Sequence, residues 1–433
     1  MQTKAKKRAI GLVLALLSTC MLFSSCMTAR LSPFSPMEEP FHPGTLSSPG
    51  RLWPKDLPVP AVEEFRGVWI ASVSNIDFPS RAGLSDAALA SELDRIVLTC
   101  VRAGLNTIFF QVRPSSDALY HSSIFPLSAY LTGEQRMARQ DDFDPLEYLI
   151  RAAHAAGIAV HAWINPVRIS SGSAANPNQD LSRLAPENPA RLHPEYVVNY
   201  GGGMYYDLGL PEVRELIADG VREIVENYAV DGVVFDDYFY PYPQAGVSNA
   251  FDDTVSYERY GNDREIGAFR RTNVNALVSL CYRTVKKANA DVLFGVSPFG
   301  IWQNASEDAR GSATAGLNAY TAIYCDATAW ADGGYVDYIA PQLYWTGTNA
   351  AASYDVLCAW WAERLRGTSC RFVVSHGAYR YDEWPSPAGE MTRQVSLAAK
   401  YENYYGSVFY GYDEIYRNLH GITDELRAMY GGK

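Results

Sequence analysis

The stretch Asp231-Gly-Val-Val-Phe-Asp-Asp-Tyr-Phe-Tyr-Pro241 carries the pattern that decides the fold. Its apolar residues predict a short buried strand, and the aromatic residues and the proline that follow end that strand. Two adjacent carboxylates, Asp236 and Asp237, stand at its C-terminal end. Parallel α/β folds present this end of a strand to the ligand-binding crevice. Because charges beside apolar surface lose hydration, the arrangement costs stability and indicates chemistry rather than folding.

The same order of elements repeats from Glu63 onward: an apolar strand, a loop, an amphipathic helix and the next strand. Pro211–Tyr228, for example, carries its apolar residues at helical spacing,. Eight strands that alternate with helices predict a (β/α)8 TIM barrel, and a doubly wound sheet is the alternative. The predicted strands are Gly67–Val73, Thr107–Val112, Ala159–Ile164, Gly232–Phe235, Leu293–Ser297, Tyr338–Leu343, Arg371–Ser375 and Ser407–Gly411.

Two connections are much longer than the others. Pro166–Leu210 follows the third predicted strand and Tyr238–Asp263 follows the fourth. Loops longer than about 15 residues in a compact domain are usually functional. Both insertions leave the end of the barrel at which such enzymes keep their active sites.

The N-terminus predicts export. A basic segment and the apolar run Ala9–Phe23, too short for a good membrane span, are typical of a signal peptide,. The run ends in Leu22-Phe-Ser-Ser-Cys26, which resembles a bacterial lipobox and predicts lipidation of Cys26. Ordinary secretion is the alternative. We therefore expect a lipoprotein signal peptide at 1–25, a Pro/Ser-rich tether at 26–62, and a barrel domain at 63–433 that a lipid anchor attaches to a membrane of the cell envelope,.

Composition excludes some partners and favours others. The net charge of −11 over 433 residues argues against binding to nucleic acid, which needs a basic surface,. The 29 Tyr and 9 Trp suit a cleft for a glycan polymer, although aromatic residues also fill cores,. We expect no cofactor and no metal, because the chain has neither a Gly-rich phosphate loop nor a zinc-binding spacing,. The metal alternative would join His161 and His376 to Asp236.

Polar and aromatic side chains follow nearly every predicted strand, and their convergence in one mouth suits a polyhydroxylated substrate. Adjacent residues of a strand face opposite sides, so only one of Asp236 and Asp237 faces the barrel axis if the strand stays regular. A capping or salt-bridge role is the alternative for this pair of predicted catalytic residues. The predicted substrate-binding residues are Asp77, Gln111, Arg113, Asp117, Trp163, Asn165, Tyr238, Trp302, Gln342, Tyr344, Trp345 and His376.

At these residues the chain resembles the glycosyl-hydrolase-like family 10 lipoproteins of bacteria, over most of residues 63–430. The motifs that carry the resemblance are Phe65-Arg-Gly-Val-Trp69, Asn75-Ile-Asp-Phe-Pro79, Gly104-Leu-Asn-Thr-Ile-Phe-Phe-Gln-Val-Arg-Pro114, Ala162-Trp-Ile-Asn-Pro166, Phe235-Asp-Asp-Tyr-Phe-Tyr-Pro241, Gly295-Val-Ser-Pro-Phe-Gly300 and Asp337-Tyr-Ile-Ala-Pro-Gln-Leu-Tyr-Trp345. The resemblance implies a (β/α)8 catalytic domain and hydrolysis of bacterial cell-wall glycan, as in the divisome-localised branch that cuts strands stripped of their peptides.

A more distant likeness concerns the nucleophile. Asp231-Gly-Val-Val-Phe-Asp236 is similar to a segment of alpha-amylase-type barrels whose last Asp attacks the anomeric carbon, which implies that role for Asp236. Those enzymes have a catalytic Glu on strand five, where this chain has Ser297. The general acid therefore stays open among Asp77, Asp117, Asp237 and Glu307. Two other functions also stay open: a non-catalytic glycan-binding lipoprotein, and a hydrolase of an environmental or host polysaccharide.

Overall fold

The computed structural model describes residues 60, 62–244, 247 and 251–431. The predicted signal peptide, Cys26 and almost all of the predicted tether lie outside these residues. Within the described ranges, no helix is both long enough and apolar enough to cross a membrane.

Eight parallel strands close into a barrel, which confirms the predicted (β/α)8 fold. The eight strands are β1 (Phe65–Ile70), β2 (Thr107–Arg113), β3 (Ala159–Ile164), β7 (Gly232–Phe235), β8 (Leu293–Val296), β9 (Tyr338–Ile339), β10 (Arg371–Gly377) and β11 (Tyr404–Tyr410). They follow one another around the wall in chain order, and β11 pairs with β1 to close it. Every predicted strand is present, and most of the differences are one to three residues at the ends. Hereafter, the mouth is the end of the barrel at which these eight strands have their C-termini.

The helices form where the sequence supplies caps. Ser85 accepts a hydrogen bond from Ala88 N at the start of one helix, and Asp144 accepts one from Glu147 N at the start of another,. The α-helices are Asp86–Ala103, Ala129–Thr132, Pro145–Ala155, Pro189–Leu192, Pro211–Asn227, Thr254–Tyr260, Ile266–Ala288, Ala319–Ala322, Ala327–Gly333, Tyr354–Leu365, Glu390–Ala398, Tyr412–Tyr416 and Ile422–Tyr430.

The insertion after β3 folds into a small antiparallel sheet rather than an open loop. It consists of β4 (Arg168–Ser170), β5 (Val197–Tyr200) and β6 (Gly203–Tyr206), with β6 in the middle. Arg168 and Ser170 pair with Tyr205 and Met204. Because β4 begins only four residues after β3 ends, this sheet is fixed directly beside the mouth.

The barrel interior is filled by large rings that face glycines. Phe65, Phe109, His161 and Tyr338 pack on one another with ring centroids between 4.8 and 6.3 Å apart. A Cβ on Gly295 would lie 2.2 Å from the Tyr338 ring, so the glycine makes room for that ring. These rings close the barrel beneath the mouth, so the mouth is a cleft with a floor and not a channel.

The cysteines contribute to the apolar core as free thiols. Cys100, Cys281, Cys325, Cys358 and Cys370 are all buried and none forms a disulfide within the described chain. Burial raises the pKa of each thiol above its ordinary value, to about 12 for Cys100. They therefore behave as small hydrophobic residues.

We expect Gly295→Ala to destabilise the domain by about 1–3 kcal/mol, because the added methyl group displaces the Tyr338 ring in a filled interior,. The free energy of unfolding in denaturant measures this. Gly316→Ala is the matched control, since its Cβ would meet only the end of the Ile301 side chain. Equal stability of the two variants would contradict the packing described here.

Candidate active site

Asp236 lies at the end of β7, nearly buried, with 4% of its surface exposed. Its Oδ2 accepts hydrogen bonds from Trp163 Nε1 at 3.0 Å and from Asn165 Nδ2 at 3.2 Å, both from β3 and its end. Its Oδ1 accepts one from the backbone N of Tyr238 at 3.3 Å. Gly232, Val234 and Asp236 alternate with residues of the other face, and Val234 packs inside the barrel, so Asp236 faces the axis,.

Asp237 is also buried, with 2% of its surface exposed. The regular strand ends at Phe235, so the chain bends and the two carboxylates are not forced to opposite sides of the wall. Asp237 turns toward β9: it accepts a hydrogen bond from the Tyr242 hydroxyl and a second from Gln342. The two carboxylates therefore interact with different neighbours. Asp236 contacts side chains of β3 and its end, and Asp237 is directed toward the residues that follow β9.

Arg168, at the start of β4, is a cation close enough to the pair to act on both carboxylates. Its guanidinium lies over the Tyr238 ring, 4.7 Å from the centroid, and donates to the Pro114 carbonyl at 3.3 Å. It lowers the pKa of both Asp236 and Asp237. Tyr238 itself is 41% exposed, so its ring forms part of the surface of the mouth.

Burial dominates the protonation of the pair. Burial first, and then the neighbouring carboxylate of Asp237, together raise the pKa of Asp236 from 3.8 to about 7,. The pKa of Asp237 is also raised by burial, against the hydrogen bonds from Tyr242 and Gln342 that lower it. Two neighbouring buried carboxyls, both with a raised pKa, are suited to acid–base or nucleophilic work,.

A second acidic group lies at the ends of β1 and β11. Asp77 Oδ2 accepts a hydrogen bond from Ala71 N at 2.7 Å. Burial, with a smaller contribution from the Glu414 carboxylate, raises the pKa of Asp77 to about 7. Both Asp77 and Tyr238 raise the pKa of Tyr410, so that tyrosine at the end of β11 lies near both of them. Asp77 is therefore at the mouth, as predicted.

Aromatic rings line the rim in two groups. Near β10 and β11, Tyr344 stacks on Tyr410 with centroids 6.1 Å apart, and its hydroxyl hydrogen-bonds Ser375 at 3.0 Å. Next to this group, near β8, Phe299 meets Tyr242 at 6.1 Å and Trp345 at 5.7 Å. Partly exposed rings of this kind give a sugar ring apolar faces on which to stack.

The two predicted ligands on β2 have different surroundings. Gln111 points to the mouth, but its Oε1 already accepts from Ser72 N at 3.0 Å and Val73 N at 2.9 Å, which holds the loop after β1. Arg113 does not join the pair. A register shift between Gln111 and Arg113 turns it outward, where its guanidinium lies 3.6 Å from the Phe125 ring centroid and against Gly220 of an outer helix.

Trp302 and His376 are likewise placed in the packing outside the barrel. Trp302 is buried, stacks on Trp360 at 5.8 Å and donates to Asp326 at 3.0 Å. His376 is buried between Tyr354 and Phe409 and bonded to Gln394 and Ser407. The inward residue of β10 is Ser375, one position before the predicted His376.

The metal alternative would need His161 beside His376, but the barrel wall separates them. His161 is inside the barrel, where its Nδ1 hydrogen-bonds the Tyr338 hydroxyl at 2.8 Å. Burial lowers the pKa of both histidines to about 4. Among the residues that the structure describes, no group of three or more His, Cys, Asp and Glu side chains could hold a metal ion.

Two of the four candidate acids lie away from the pair. Asp117 is buried in a separate cavity beside the insertion, with Gln135 Nε2 donating to it at 3.2 Å. Glu307 is exposed on the loop after β8, where it accepts from Asn318 Nδ2 at 2.6 Å. Asp77 and Asp237 are the candidates at the mouth.

The structure thus gathers Trp163, Asn165, Tyr238 and Gln342 directly around Asp236 and Asp237, with Tyr344, Trp345 and Asp77 on the rim. The site list from the sequence omitted Arg168, Tyr242 and Ser375. Arg168 and Tyr242 lie within the long insertions after β3 and β7, and those insertions were the available signal. Ser375 could have been identified if the inward-facing positions of β10 had been assigned correctly.

Comparison with known proteins gives one family. The profile of the family described as glycosyl hydrolase-like 10 matches residues 64–385. Glycosyl hydrolase YngK of Bacillus subtilis is 41% identical over 372 residues, which cover 84% of this chain and 71% of that protein. Glycosyl hydrolase DigH of Escherichia coli K12 is 37% identical over 341 residues, 74% of each chain.

Solved structures share the barrel at low sequence identity. The PgaB (BpsB) glycoside hydrolase domain from Bordetella bronchiseptica superposes with a TM-score of 0.54 at 13% identity, covering 84% of this chain and 99% of that one. Alpha-L-fucosidase isoenzyme 2 from Paenibacillus thiaminolyticus gives 0.50 at 13% identity, covering 85% and 50%. At such identities the likeness shows the fold alone.

We expect the difference in unfolding free energy, Asp236→Asn minus wild type, to be about 4 kcal/mol larger at pH 8 than at pH 4. The folded-state pKa of Asp236 is raised from 3.8 to about 7, so stability is lost as pH rises through this window while the unfolded state ionises first. The asparagine removes that loss. The measurement is the difference in unfolding free energy between variant and wild type at both pH values. A difference that does not change with pH would contradict the raised pKa.

Proposed function

The chain belongs to the glycosyl hydrolase-like 10 family, and we propose that it is a glycoside hydrolase of bacterial cell-wall glycan that cuts peptide-free strands. The observation that carries the proposal is the environment of Asp236. It is a buried carboxyl with a pKa near 7, fixed by two side-chain donors, beside a second carboxyl and beneath a rim of aromatic rings.

In the proposed mechanism, Asp236 attacks the anomeric carbon, or activates a water if the enzyme inverts. Trp163 and Asn165 fix the orientation of its carboxylate, and Arg168 stabilises the ionised form,. A protonated carboxyl gives its proton to the leaving glycosidic oxygen as the bond to the anomeric carbon breaks. Water then supplies the hydroxyl of the new reducing end.

Asp237 and Asp77 are the candidates for the proton donor. Both have a pKa raised by burial, that of Asp77 to about 7, so each holds a proton to higher pH than an ordinary carboxyl. They imply different geometries: Asp237 is next to Asp236 on the same chain turn, whereas Asp77 stands on another strand of the mouth. Carboxyl separations of about 5 Å accompany retention and about 6.5–9.5 Å inversion.

The choice of substrate is supported by the lining and by the predicted location. Amide, guanidinium and aromatic groups around the pair suit hydroxyl and acetamido groups together with the flat faces of sugar rings. A lipid anchor at Cys26, followed by a tether, would hold the domain beside the cell-wall glycan.

We expect Asp236→Asn to abolish release of new reducing ends from peptide-free peptidoglycan strands, by about 10³-fold or more, because the reacting group is removed. Chromatography of the digestion products measures it. Asp308→Asn, at a partly exposed loop carboxylate that pairs with Arg310, is the matched control and should leave turnover unchanged.

Substrates with a good leaving group distinguish the two candidate acids. The variant that lacks the acid, Asp237→Asn or Asp77→Asn, should keep turnover of an aryl glycoside while losing turnover of the natural polymer, since an aryl leaving group needs little protonation. If Asp236→Asn cleaved the polymer as fast as wild type, the assignment of Asp236 as the nucleophile would be wrong. Binding of strands without any products would favour the glycan-binding alternative, and activity only on plant or host glycans would favour the environmental one.

We expect Cys26→Ser to move the protein from the membrane fraction to the soluble fraction, because the thiol that would carry the lipid is lost,. Cell fractionation with immunoblotting, and labelling with a fatty-acid analogue, measure this. Cys20→Ser is the matched control and should stay in the membrane fraction with its label. A membrane-bound Cys26→Ser protein would contradict the anchor.

A further inference from the structure

A polar cavity outside the carboxylate pair lies between the loop after β2 and the insertion after β3. Its volume is about 260 Å³, and its lining includes Asp117, Tyr130, Gln135, Ser170, Asn178 and Arg183. None of these residues is needed for the chemistry proposed above. The cavity therefore has polar groups suited to a ligand and no role assigned to it.

A larger cavity of about 530 Å³ continues it along the insertion. Ser171, Asn178 and Arg183 line both cavities, so the two are adjacent parts of one groove. Small-molecule pockets have volumes of about 300–1,000 Å³. The groove as a whole has the dimensions of a site for a ligand and not of a packing defect.

Strand β4 connects this groove to the mouth. Arg168, at the first position of β4, lies over Tyr238 and acts on Asp236 and Asp237. Ser170, two residues further on, lines the smaller cavity. Two residues of a strand span about 6.6 Å, so the cavity begins close to the edge of the mouth. The loop after β2 also connects the cavity to the mouth, because its Pro114 carbonyl accepts a hydrogen bond from Arg168 at 3.3 Å.

The polar groups of the cavity are partly uncommitted. Within the described chain, no hydrogen bond or ion pair engages the Arg183 guanidinium or the Asn178 side-chain amide, although Asp180 is near enough for Arg183 to lower its pKa. Asp117 does not add to these free groups, because its side chain is buried and Gln135 Nε2 donates to its Oδ2 at 3.2 Å. These donors, beside the apolar side chains of Ile169 and Leu184, match the hydroxyl and amide groups and the apolar ring faces of a saccharide,.

We propose that this groove is a distal saccharide-binding subsite of the same polymer cleft, occupied by a sugar unit of the strand whose cleavage point lies at Asp236. The proposal rests on the proposed function. Arg183 and Asn178 donate to the hydroxyl or acetamido oxygens of that unit. The consequence is a preference for long strands, since only a strand that reaches from the mouth along β4 gains these contacts.

The experiment compares the double variant Arg183→Ala/Asn178→Ala with wild type on size-fractionated peptide-free strands. For long strands we expect KM to rise about 5- to 10-fold with kcat unchanged, the effect of one or two lost hydrogen bonds. For the shortest fraction that wild type cleaves, both parameters should stay unchanged. Arg366→Ala, at a surface arginine with 67% of its side chain exposed, is the matched control and should match wild type on every fraction.

Equal losses on short and long strands, or no loss on either, would overturn the subsite. Circular dichroism of the double variant separates loss of folding from loss of contacts, and Ser171→Ala, which changes the same groove at an exposed position, gives a milder second test in the same direction. If wild type cleaves strands of no length, the proposed function fails. Co-sedimentation of long strands with wild type and with the double variant then decides whether the groove binds glycan.

Discussion

The structure depends on the match in size between large rings and the glycines that they face inside the barrel. The rings of His161 and Tyr338 occupy space that a side chain on Gly232 or Gly295 would need, since a Cβ there would lie 2.3 or 2.2 Å from them. The register that turns Gly232 toward the axis also turns Asp236 toward the axis four residues later. A shift of one residue would bury the wrong face and remove the carboxylate from the mouth. The alternation of inward-facing and outward-facing residues along β7 therefore determines both the packing of the barrel and the position of the candidate site.

The mouth combines three conditions that are seldom found together. Burial holds the pKa of Asp236 near 7, three donors fix both its oxygens, and Arg168 limits the repulsion between it and Asp237. Each condition alone would suit a structural carboxylate. Together they give a carboxyl that changes charge near neutral pH without changing position, at a cost in stability that the packed interior must offset.

The eight strands could be predicted from the sequence because apolar runs and helical periodicity are local signals. The sequence was also sufficient for Trp163 and Asn165, since β3 stays regular up to the mouth. The sequence was insufficient where a local irregularity of the backbone changes the side of the barrel wall to which a side chain points. The register shift in β2 sends Arg113 outward, and His376 belongs to the outer face that packs on Gln394. Trp302 follows β8 in a loop whose path depends on Trp360, a contact that no local pattern shows. Arg168 and Tyr242 reach the pair through tertiary folding of the insertions.

The five described cysteines have a consequence for how the chain matures. A thiol that is protonated and enclosed by apolar side chains exchanges slowly with other thiols and disulfides. The barrel is therefore held together without any bond that an oxidant must form or a reductant could break. The folded barrel needs no disulfide, so its stability should be the same on either side of a membrane that divides a reducing compartment from an oxidising one.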